Sequence, residues 1–323
     1  MRAGVLVFWA IELALLVPAA ALTFARLVEP DAGPWIRLEA FTTLALALYA
    51  GALLLLVVRL LVQRRWRSLT AGVALLALLG LAAHAWWFAP QLTGANPPPA
   101  AGAEPLVVMT ANVASGDGDP VEVVRLANVH RVDLLVVQEI TAADLADMER
   151  AGLSDLLPHR IGDPGTGGDA TMVFARTALG DPVALETLHG GWAVPMGDLS
   201  VLAVHPWAPT EPDIWRADLE SVHAAALAHD ADLVLGDFNA TVDHAPMRAL
   251  SADGFRDVGE LANQGWQPTW PSDGRTTLGV LPVPSLTQID HVLVGPRMAA
   301  ITMWTAEIPG SDHRAVLAEV AEK

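Results

Sequence analysis

Acidic, amide and imidazole side chains stand at the ends of short apolar runs in the last two thirds of the chain. They are Asn112, Glu139, His205, Asp237, Asn239, Asp290, Asp312 and His313. Carboxylates and amides bind hard cations, and imidazoles and carboxylates move protons, so side chains of these types could together hold a metal ion and transfer protons. Because α/β folds place their chemistry where strands leave a sheet, we expect these residues to meet in one pocket.

The elements that must position these residues begin near Glu104, where apolar runs alternate with stretches of helical spacing. The predicted strands are residues 106–110, 134–138, 170–174, 199–204, 233–235, 289–294 and 315–320. The predicted helices are residues 120–130, 142–150 and 214–229. This alternation predicts an α/β domain over residues 105–323.

Hydrophobic residues make up 53% of the chain and concentrate before residue 90. Three apolar stretches, residues 5–24, 38–62 and 69–89, are each close to the ~20 residues that cross a bilayer as a helix. Buried core helices are an alternative, and the first stretch could instead be a cleavable signal peptide. Three stretches in succession favour a three-helix membrane anchor over residues 1–92, followed by a proline-rich linker over residues 93–104.

The arginines predict the orientation of this anchor, since short cytoplasmic loops retain Lys and Arg. Arg2 precedes the first span, and the second connection is flanked by Arg59, Arg64, Arg65 and Arg67. The N-terminus is therefore expected in the cytoplasm, and everything after residue 90 outside it. The predicted location is the cell membrane, with the lipid bilayer as a partner of the anchor.

The charge of the chain after residue 100 argues against one class of partner. This part carries 12 basic residues against 32 acidic ones, and the whole chain has no cysteine. Binding of long nucleic acid rests on basic surface that displaces counterions from phosphates, so a long polyanion is an unfavourable partner. The absence of cysteine excludes thiolate metal sites and disulfides. No feature of the sequence predicts an oligomeric state.

Six short motifs in the C-terminal part resemble, in order, those of the endonuclease/exonuclease/phosphatase superfamily, which includes pancreatic deoxyribonuclease, apurinic endonucleases and neutral sphingomyelinases. They are residues 110–112, 138–139, 205–206, 236–239, 289–291 and 311–313. The resemblance implies a four-layer αββα sandwich, in which helices flank two facing mixed sheets, here preceded by three transmembrane helices as in a membrane-anchored bacterial type. It also implies a divalent cation, Mg²⁺ with Mn²⁺ as the alternative.

The resemblance also assigns candidate ligands for that cation. Glu139 is the leading candidate, and Asn112 and Asp312 are the others. Oxygen donors suit Mg²⁺, which takes few protein carboxylates because it keeps several waters. Whether one or two ions bind stays open.

The remaining residues would act on the phosphate and the attacking water. His313 would lie in line with the scissile bond, and Asp290 would bond its far nitrogen and fix its tautomer. Asp237 and Asn239 would orient the water and a phosphate oxygen, and His205 would donate to the phosphate or the leaving group. The sequence leaves open whether Asp237 or His313 accepts the proton.

These features together predict a metal-dependent phosphatase or phosphodiesterase that acts outside the cytoplasm on a membrane-associated or small phosphorylated substrate. The architecture resembles membrane phosphatases linked to teicoplanin-type resistance, which act on a polyprenyl pyrophosphate carrier, so a lipid phosphate or polyprenyl pyrophosphate is the expected substrate class. An extracytoplasmic nuclease of DNA or short oligonucleotides is the first alternative. A non-enzymatic binding module that keeps the fold is the second.

Overall fold

The computed structural model of the chain describes residues 2–63, 67–94, 96–274, 277–278 and 281–323. The chain divides into two compact units, Met1–Pro90 and Gln91–Lys323. Two of the arginines used to predict the orientation, Arg64 and Arg65, lie outside the described residues.

The first unit is helical, with helices α1 (Arg2–Val28), α2 (Gly33–Glu39), α3 (Leu44–Val62) and α4 (Arg67–Phe88). Three of its segments are long and apolar enough to cross a membrane: Gly4–Val28, Leu44–Val62 and Arg67–Phe88. The second span begins later than predicted, because residues 33–39 form a separate short helix. Thr42 closes the turn between the two helices, its Oγ1 donating to the Glu39 carbonyl at 2.6 Å.

Several polar side chains are buried inside the helical unit. The guanidinium of Arg59 lies 4.4 Å from the ring centre of Phe8. Glu12 is 1% exposed, and its carboxyl oxygens have no hydrogen-bond partner among the described residues. Thr23 Oγ1 lies 2.8 Å from Tyr49 Oη. Glu12 therefore faces the other helices, where an ionisable group costs less than against lipid.

The elements of the second unit alternate between strand and helix. The strands are β1 Leu106–Asn112, β2 Leu134–Gln138, β3 His159–Ile161, β4 Thr171–Ala175, β5 Val183–Ala184, β6 Gly191–Met196, β7 Leu199–Val204, β8 Leu233–Asp237, β9 Arg256–Asp257, β10 Thr277–Leu278, β11 Leu281–Pro282, β12 Asp290–Val294, β13 Met298–Glu307 and β14 Arg314–Glu322. The helices from residue 90 onward are α5 Pro90–Thr93, α6 Pro120–Val129, α7 Ala142–Arg150, α8 Leu153–Leu156, α9 Pro212–Ala228, α10 Ala245–Ala252 and α11 Val258–Leu261.

The larger strands of the described residues form two six-stranded sheets, ordered β13-β14-β1-β2-β4-β3 and β5-β6-β7-β8-β12-β9. Each sheet is mixed, because β1 and β2 are parallel, as are β7 and β8, whereas the other pairs are antiparallel. Inward-facing side chains such as Val108 and Leu235 form the core between the sheets. Outward-facing ones such as Met109 pack with Val124 of α6 and Met148 of α7. This arrangement confirms the predicted four-layer αββα sandwich.

Two of the longer strands, β6 and β13, are not predicted by the sequence pattern. Pro195 lies within β6, where a proline normally indicates an edge strand or a break. In β13 the register shifts between Ala300 and Thr302, so the alternation of apolar and polar residues is interrupted. Both strands form through hydrogen bonds to their neighbours in the sheet, although their sequences lack a regular alternation of apolar and polar residues.

The segment predicted as a linker is hydrogen-bonded to the second unit along its length. Gly265 N donates to the Gln91 carbonyl at 2.9 Å, and Ala100 N donates to the Glu322 carbonyl at 2.8 Å. Asn96 Nδ2 donates to the Ala300 carbonyl at 3.0 Å. The second unit therefore includes the chain from residue 91 onward.

Candidate active site

Strand pairing brings the predicted residues to one end of the two sheets. Asn112 and Gln138 are register partners at the carboxyl ends of the parallel strands β1 and β2, and Glu139 follows directly. In the second sheet, Asp237 at the end of β8 is paired with Asp290 at the start of β12. Carboxyl ends of parallel strands are where α/β folds usually bind ligands.

Asn112 joins the acids of the two sheets. Its Nδ2 donates to Glu139 Oε1 at 3.0 Å and to Asp237 Oδ2 at 3.1 Å, while its Oδ1 accepts from Ala114 N. Ser115 Oγ donates to the other oxygen of Glu139 at 2.7 Å. Two carboxylates from different sheets are thus held close together, which costs electrostatic energy unless cations or donors lie between them.

The backbone is strained at two of the site residues. Glu139 has φ +57° and Asn239 has φ +48°, a region that non-glycine residues seldom occupy. Glu139 must turn the chain from β2 into α7, whose first turn is closed by a reciprocal cap between Thr141 and Asp144. Asn239 N donates to Asp237 Oδ1 at 2.8 Å within the tight turn after β8. Strain of this kind is commonly found at functional sites.

His313 and Asp290 form a buried pair on the other side of Asp237. Nδ1 of His313 lies 2.9 Å from Asp290 Oδ2, and its Nε2 lies 3.7 Å from Asp237 Oδ2 and 3.8 Å from Asp312 Oδ1. Three carboxylates therefore surround one imidazole. A ring in this position is stabilised in its protonated form.

The electrostatics of this group shift two pKa values strongly. Burial raises the pKa of Asp237 to about 7; Asp290 adds to the rise, whereas His313 opposes it. Burial by itself would lower the pKa of His313, but the charges of Asp290 and Asp237 outweigh it and raise that pKa to about 10. In the metal-free protein at neutral pH, His313 is therefore a cation and Asp237 is near its titration midpoint.

His205 follows β7 and is packed against a second imidazole. Its Nε2 lies 3.7 Å from Asp237 Oδ2 and 3.3 Å from His189 Nδ1, and its buried Nδ1 has no partner among the described residues. The ring of His189 in turn contacts that of Trp207 in a tilted arrangement, with centroids 4.3 Å apart. Burial is the largest cause of the lowered pKa of His205 and of His189. Both rings are therefore neutral near pH 7.

The remaining two predicted residues lie at the margin of this group. Asp312 Oδ2 accepts from Trp270 Nε1 at 3.0 Å, which orients the carboxylate. Asn239 Nδ2 donates to the Pro206 carbonyl at 3.1 Å, so the amide is fixed between the ends of β7 and β8. All eight residues singled out from the sequence thus lie in one cluster.

Two residues in this cluster carry no recognisable signal in the sequence. His189 lies in a loop before β6 without a motif around it, and Ser115 lies in a short turn after β1. Only the packing of distant segments brings them to His205 and Glu139. No pattern in the sequence could have revealed either residue.

The donor set fits a divalent cation. Asp237, Asp290 and His313 offer ligand atoms that all lie within 4.8 Å of one another. Glu139, whose side chain is 24% exposed, offers further oxygens on the open side of Asn112. Oxygen-rich groups of this kind suit Mg²⁺ or Mn²⁺. Asn112 contacts both Asp237 and Glu139, and His313 Nδ1 is already held by Asp290. The partly exposed carboxylate of Glu139 is therefore the more accessible ligand.

His291, next to Asp290, supports the site from behind. Its Nδ1 lies 2.8 Å from Asp257 Oδ2 and its Nε2 lies 2.9 Å from the Ala240 carbonyl. Burial lowers the pKa of His291, but the hydrogen bond and charge of Asp257 outweigh it and leave that pKa above its ordinary value. A doubly bonded, fully buried ring of this type fixes the turn that carries Asn239.

A family model described as "Endonuclease/Exonuclease/phosphatase family" matches residues 109–313, which include every site residue named above. No curated protein is significantly similar in sequence.

Among solved structures, the crystal structure of D. rerio TDP2 complexed with single strand DNA product has a TM-score of 0.55 at 16% identity, covering 67% of this chain and 99% of that one. An AP endonuclease from Archaeoglobus fulgidus has a TM-score of 0.52 at 16% identity, covering 66% and 98%. A conserved protein of unknown function from Enterococcus faecalis V583 has a TM-score of 0.52 at 16% identity, covering 68% and 100%. At such low identity these likenesses show the shared fold.

Proposed function

The chain belongs to the endonuclease/exonuclease/phosphatase family, whose members are metal-dependent hydrolases of phosphoester bonds, and we propose that it is a membrane-anchored phosphoesterase acting on a lipid phosphate or a small phosphorylated molecule outside the cytoplasm. The observation that carries this proposal is the meeting of Glu139, Asp237, Asp290 and His313 around Asn112 at the ends of both sheets. This group combines carboxylates that can bind a metal ion, a carboxylate that can accept a proton, and the positively charged imidazolium of His313.

Glu139 and Asn112 would hold the cation, Mg²⁺ with Mn²⁺ as the alternative, together with Asp312 at the margin of the group. A divalent cation bound there supplies positive charge that offsets the charge of the phosphate. The hydrogen bonds from Ser115 and Asn112 keep the Glu139 carboxylate in one orientation, so little ordering is needed when substrate binds.

The geometry favours Asp237 over His313 as the group that accepts the proton of the attacking water. Nδ1 of His313 is bonded to both oxygens of Asp290, and its Nε2 faces Asp237 and Asp312, so the ring is protonated and has no lone pair to offer. An imidazolium in this position stabilises the negative charge that develops on the phosphate. Asp237, with its pKa raised by burial to about 7, is poised to take a proton near neutral pH.

His205 would act as a neutral donor to the substrate. Its Nδ1 is buried without a partner among the described residues, and a proton there would be left unsatisfied, which is costly. The proton therefore belongs on Nε2, the atom that faces Glu139 at 3.9 Å and Asp237 at 3.7 Å. From there it can reach a phosphate oxygen or the leaving group.

Charge and chain connectivity support the proposed class of substrate. The excess of acidic over basic residues after residue 100 repels long polyanions but not a single phosphate held by a cation. Three candidate spans precede the catalytic unit, and the distribution of arginines favours an extracytoplasmic location for it. A tethered site of this kind meets membrane lipids at high local concentration.

A nuclease is the second candidate, because the D. rerio TDP2 complex holds a single strand DNA product on a similar fold. The acidic surface disfavours this reading for long strands and leaves short oligonucleotides as targets.

Phosphate release by the detergent-solubilised full chain tests the proposal. With Mg²⁺ present, we expect release from lipid phosphates or polyprenyl pyrophosphate to exceed release from nucleotides, with no nicking of plasmid DNA at low salt. If the chain nicked plasmid DNA efficiently and did not hydrolyse lipid phosphates, it would be assigned as a nuclease instead.

A further inference from the structure

A buried carboxylate ties two loops beside the active site to helix α9. Asp218 on α9 is 5% exposed. Its Oδ2 accepts from Trp207 N at 2.8 Å, and both of its oxygens accept from Leu188 N at 3.2 and 3.3 Å. Charge-assisted bonds of this type fix the position of both loops.

These loops and the first turn of α9 expose apolar side chains. Leu188 is 55% exposed, and Ile214 is 36% exposed. Ile214 precedes Asp218 by one helical turn and so lies on the same helix face. Trp207 is half-buried, and its Nε1 has no hydrogen-bond partner among the described residues. We name Leu188, Trp207 and Ile214, which are grouped around Asp218, the apolar rim.

Contacts between side-chain rings connect the apolar rim to the catalytic group. Trp207 lies 4.3 Å from His189, and His189 lies 4.4 Å from His205, centroid to centroid. His205 Nε2 is 3.7 Å from Asp237 Oδ2. A path of a few residues therefore leads from the carboxylates to exposed hydrocarbon. Such a boundary between a charged pocket and an apolar surface matches a molecule with a phosphate head and an apolar tail.

Resting on the proposed function, we propose that the apolar rim receives the hydrocarbon tail of a lipid phosphate while the phosphate occupies the catalytic group. Leu188 and Ile214 contact the tail, and Trp207, whose ring contacts His189, lies at the boundary between head and tail. The occupant is thus the substrate's own tail, and its length determines how well the enzyme uses it.

The attachment of the catalytic unit supports this occupant. The third candidate span ends at Phe88, and Gln91, only three residues later, already accepts a hydrogen bond from Gly265. In a chain anchored by that span, the second unit begins within three residues of the span, and lipid tails are the abundant apolar ligands of a membrane.

The test compares one head group on two tails. A long-chain phosphatidic acid and its dibutanoyl analogue are presented to the full chain in mixed detergent micelles with Mg²⁺, and kcat/KM is measured for each. We expect Leu188→Ser/Ile214→Ser to lower the long-to-short ratio of kcat/KM about tenfold, because two contacts with the tail are lost. Trp207→Phe keeps the apolar ring and is expected to retain the ratio to within about threefold.

A matched control has the same chemistry away from the rim. Val129 and Leu227 are 60% and 50% exposed at the ends of α6 and α9, and Val129→Ser/Leu227→Ser is expected to leave the ratio unchanged. A ratio that is equally unaffected in the rim variant would overturn the tail assignment while the phosphoesterase proposal stands. If the wild-type chain released phosphate from neither lipid, the proposed function itself would fail.

Discussion

Asp290 holds the imidazole of His313 with both carboxylate oxygens, Nδ1 lying 2.9 Å from Oδ2 and 3.2 Å from Oδ1. The two side chains are buried, and they come from separate sheets, Asp290 from β12 and His313 from the residue before β14. The contact therefore fixes the orientation of the ring, supports its positive charge and joins the sheets at the site.

We expect Asp290→Asn to lower kcat by about a hundredfold or more, because the ring loses both its orientation and the charge that stabilises its protonated form. KM should change little, since the cation-binding group around Glu139 is intact. Steady-state kinetics on the substrate found in the phosphate-release screen would measure both.

An exposed pair offers the control for this substitution. His223 Nε2 lies 2.8 Å from Asp253 Oδ2 away from the site, and Asp253→Asn is expected to keep the wild-type rate. Equal rates for Asp290→Asn and Asp253→Asn would show that the buried pair has no part in catalysis.

The same pair makes stability depend on pH. The pKa of His313, about 10, lies above the ordinary value of 6.5 for histidine. His313 therefore contributes stability that is fully present below a pH of about 6.5 and is lost as the pH rises through about 10. In EDTA, the thermal unfolding midpoint of the full chain should fall across this window, and less so in Asp290→Asn. The background from tyrosine and lysine is small, because Tyr49 and Lys323 are the only residues of their types, and the comparison with Asp290→Asn separates His313 from His291, whose pKa is also raised. A midpoint that stays constant between pH 7 and 10 would refute the protonated ring.

His189 is expected to position His205 through the 3.3 Å contact between their ring nitrogens. His189→Phe keeps the ring packing but removes this bond, and it should lower kcat/KM about three- to tenfold and alter the pH profile, whereas His189→Gln should restore part of the rate. His130, whose ring lies 5.2 Å from Trp304, gives the control His130→Phe. If His189→Phe lowered the rate without altering the pH profile, or if His130→Phe lowered the rate equally, His189 would have only a packing role.

The sidedness of the catalytic unit can be measured directly, because the chain has no cysteine. Asp181 and Gln63 are both exposed, the first in the catalytic unit and the second at the end of α3. A membrane-impermeant maleimide should label Asp181→Cys in intact cells and Gln63→Cys only after permeabilisation. The reverse pattern would place the active site in the cytoplasm.

The fold of the second unit is largely predictable from the sequence, because strands such as β2 and β7 are mostly apolar and end in or are followed by polar residues. The motifs that follow such strands contain the candidate site residues, and all eight of these residues lie in one cluster. Local periodicity fails where tertiary pairing takes over: β6 tolerates Pro195 and β13 contains a bulge after Ala300.

The contacts that define the chemistry are not predictable in the same way. His189 meets His205 only because two loops are tied to Asp218, and nothing adjacent to it in the chain distinguishes it from a surface histidine. The choice between Asp237 and His313 as proton acceptor likewise depends on which carboxylates surround the ring. Such distances between segments far apart in sequence emerge only when the sheets pack.

Metal-dependent phosphate release by the full chain tests the central claim most directly. Activity should disappear in EDTA and return with Mg²⁺, and Glu139→Gln should need at least about tenfold more Mg²⁺ for half of its maximal rate. Glu149→Gln, an exposed residue on α7, should behave as the wild type. A rate that is indifferent to EDTA, or a Glu139→Gln variant with the wild-type Mg²⁺ requirement, would contradict the assignment of this site.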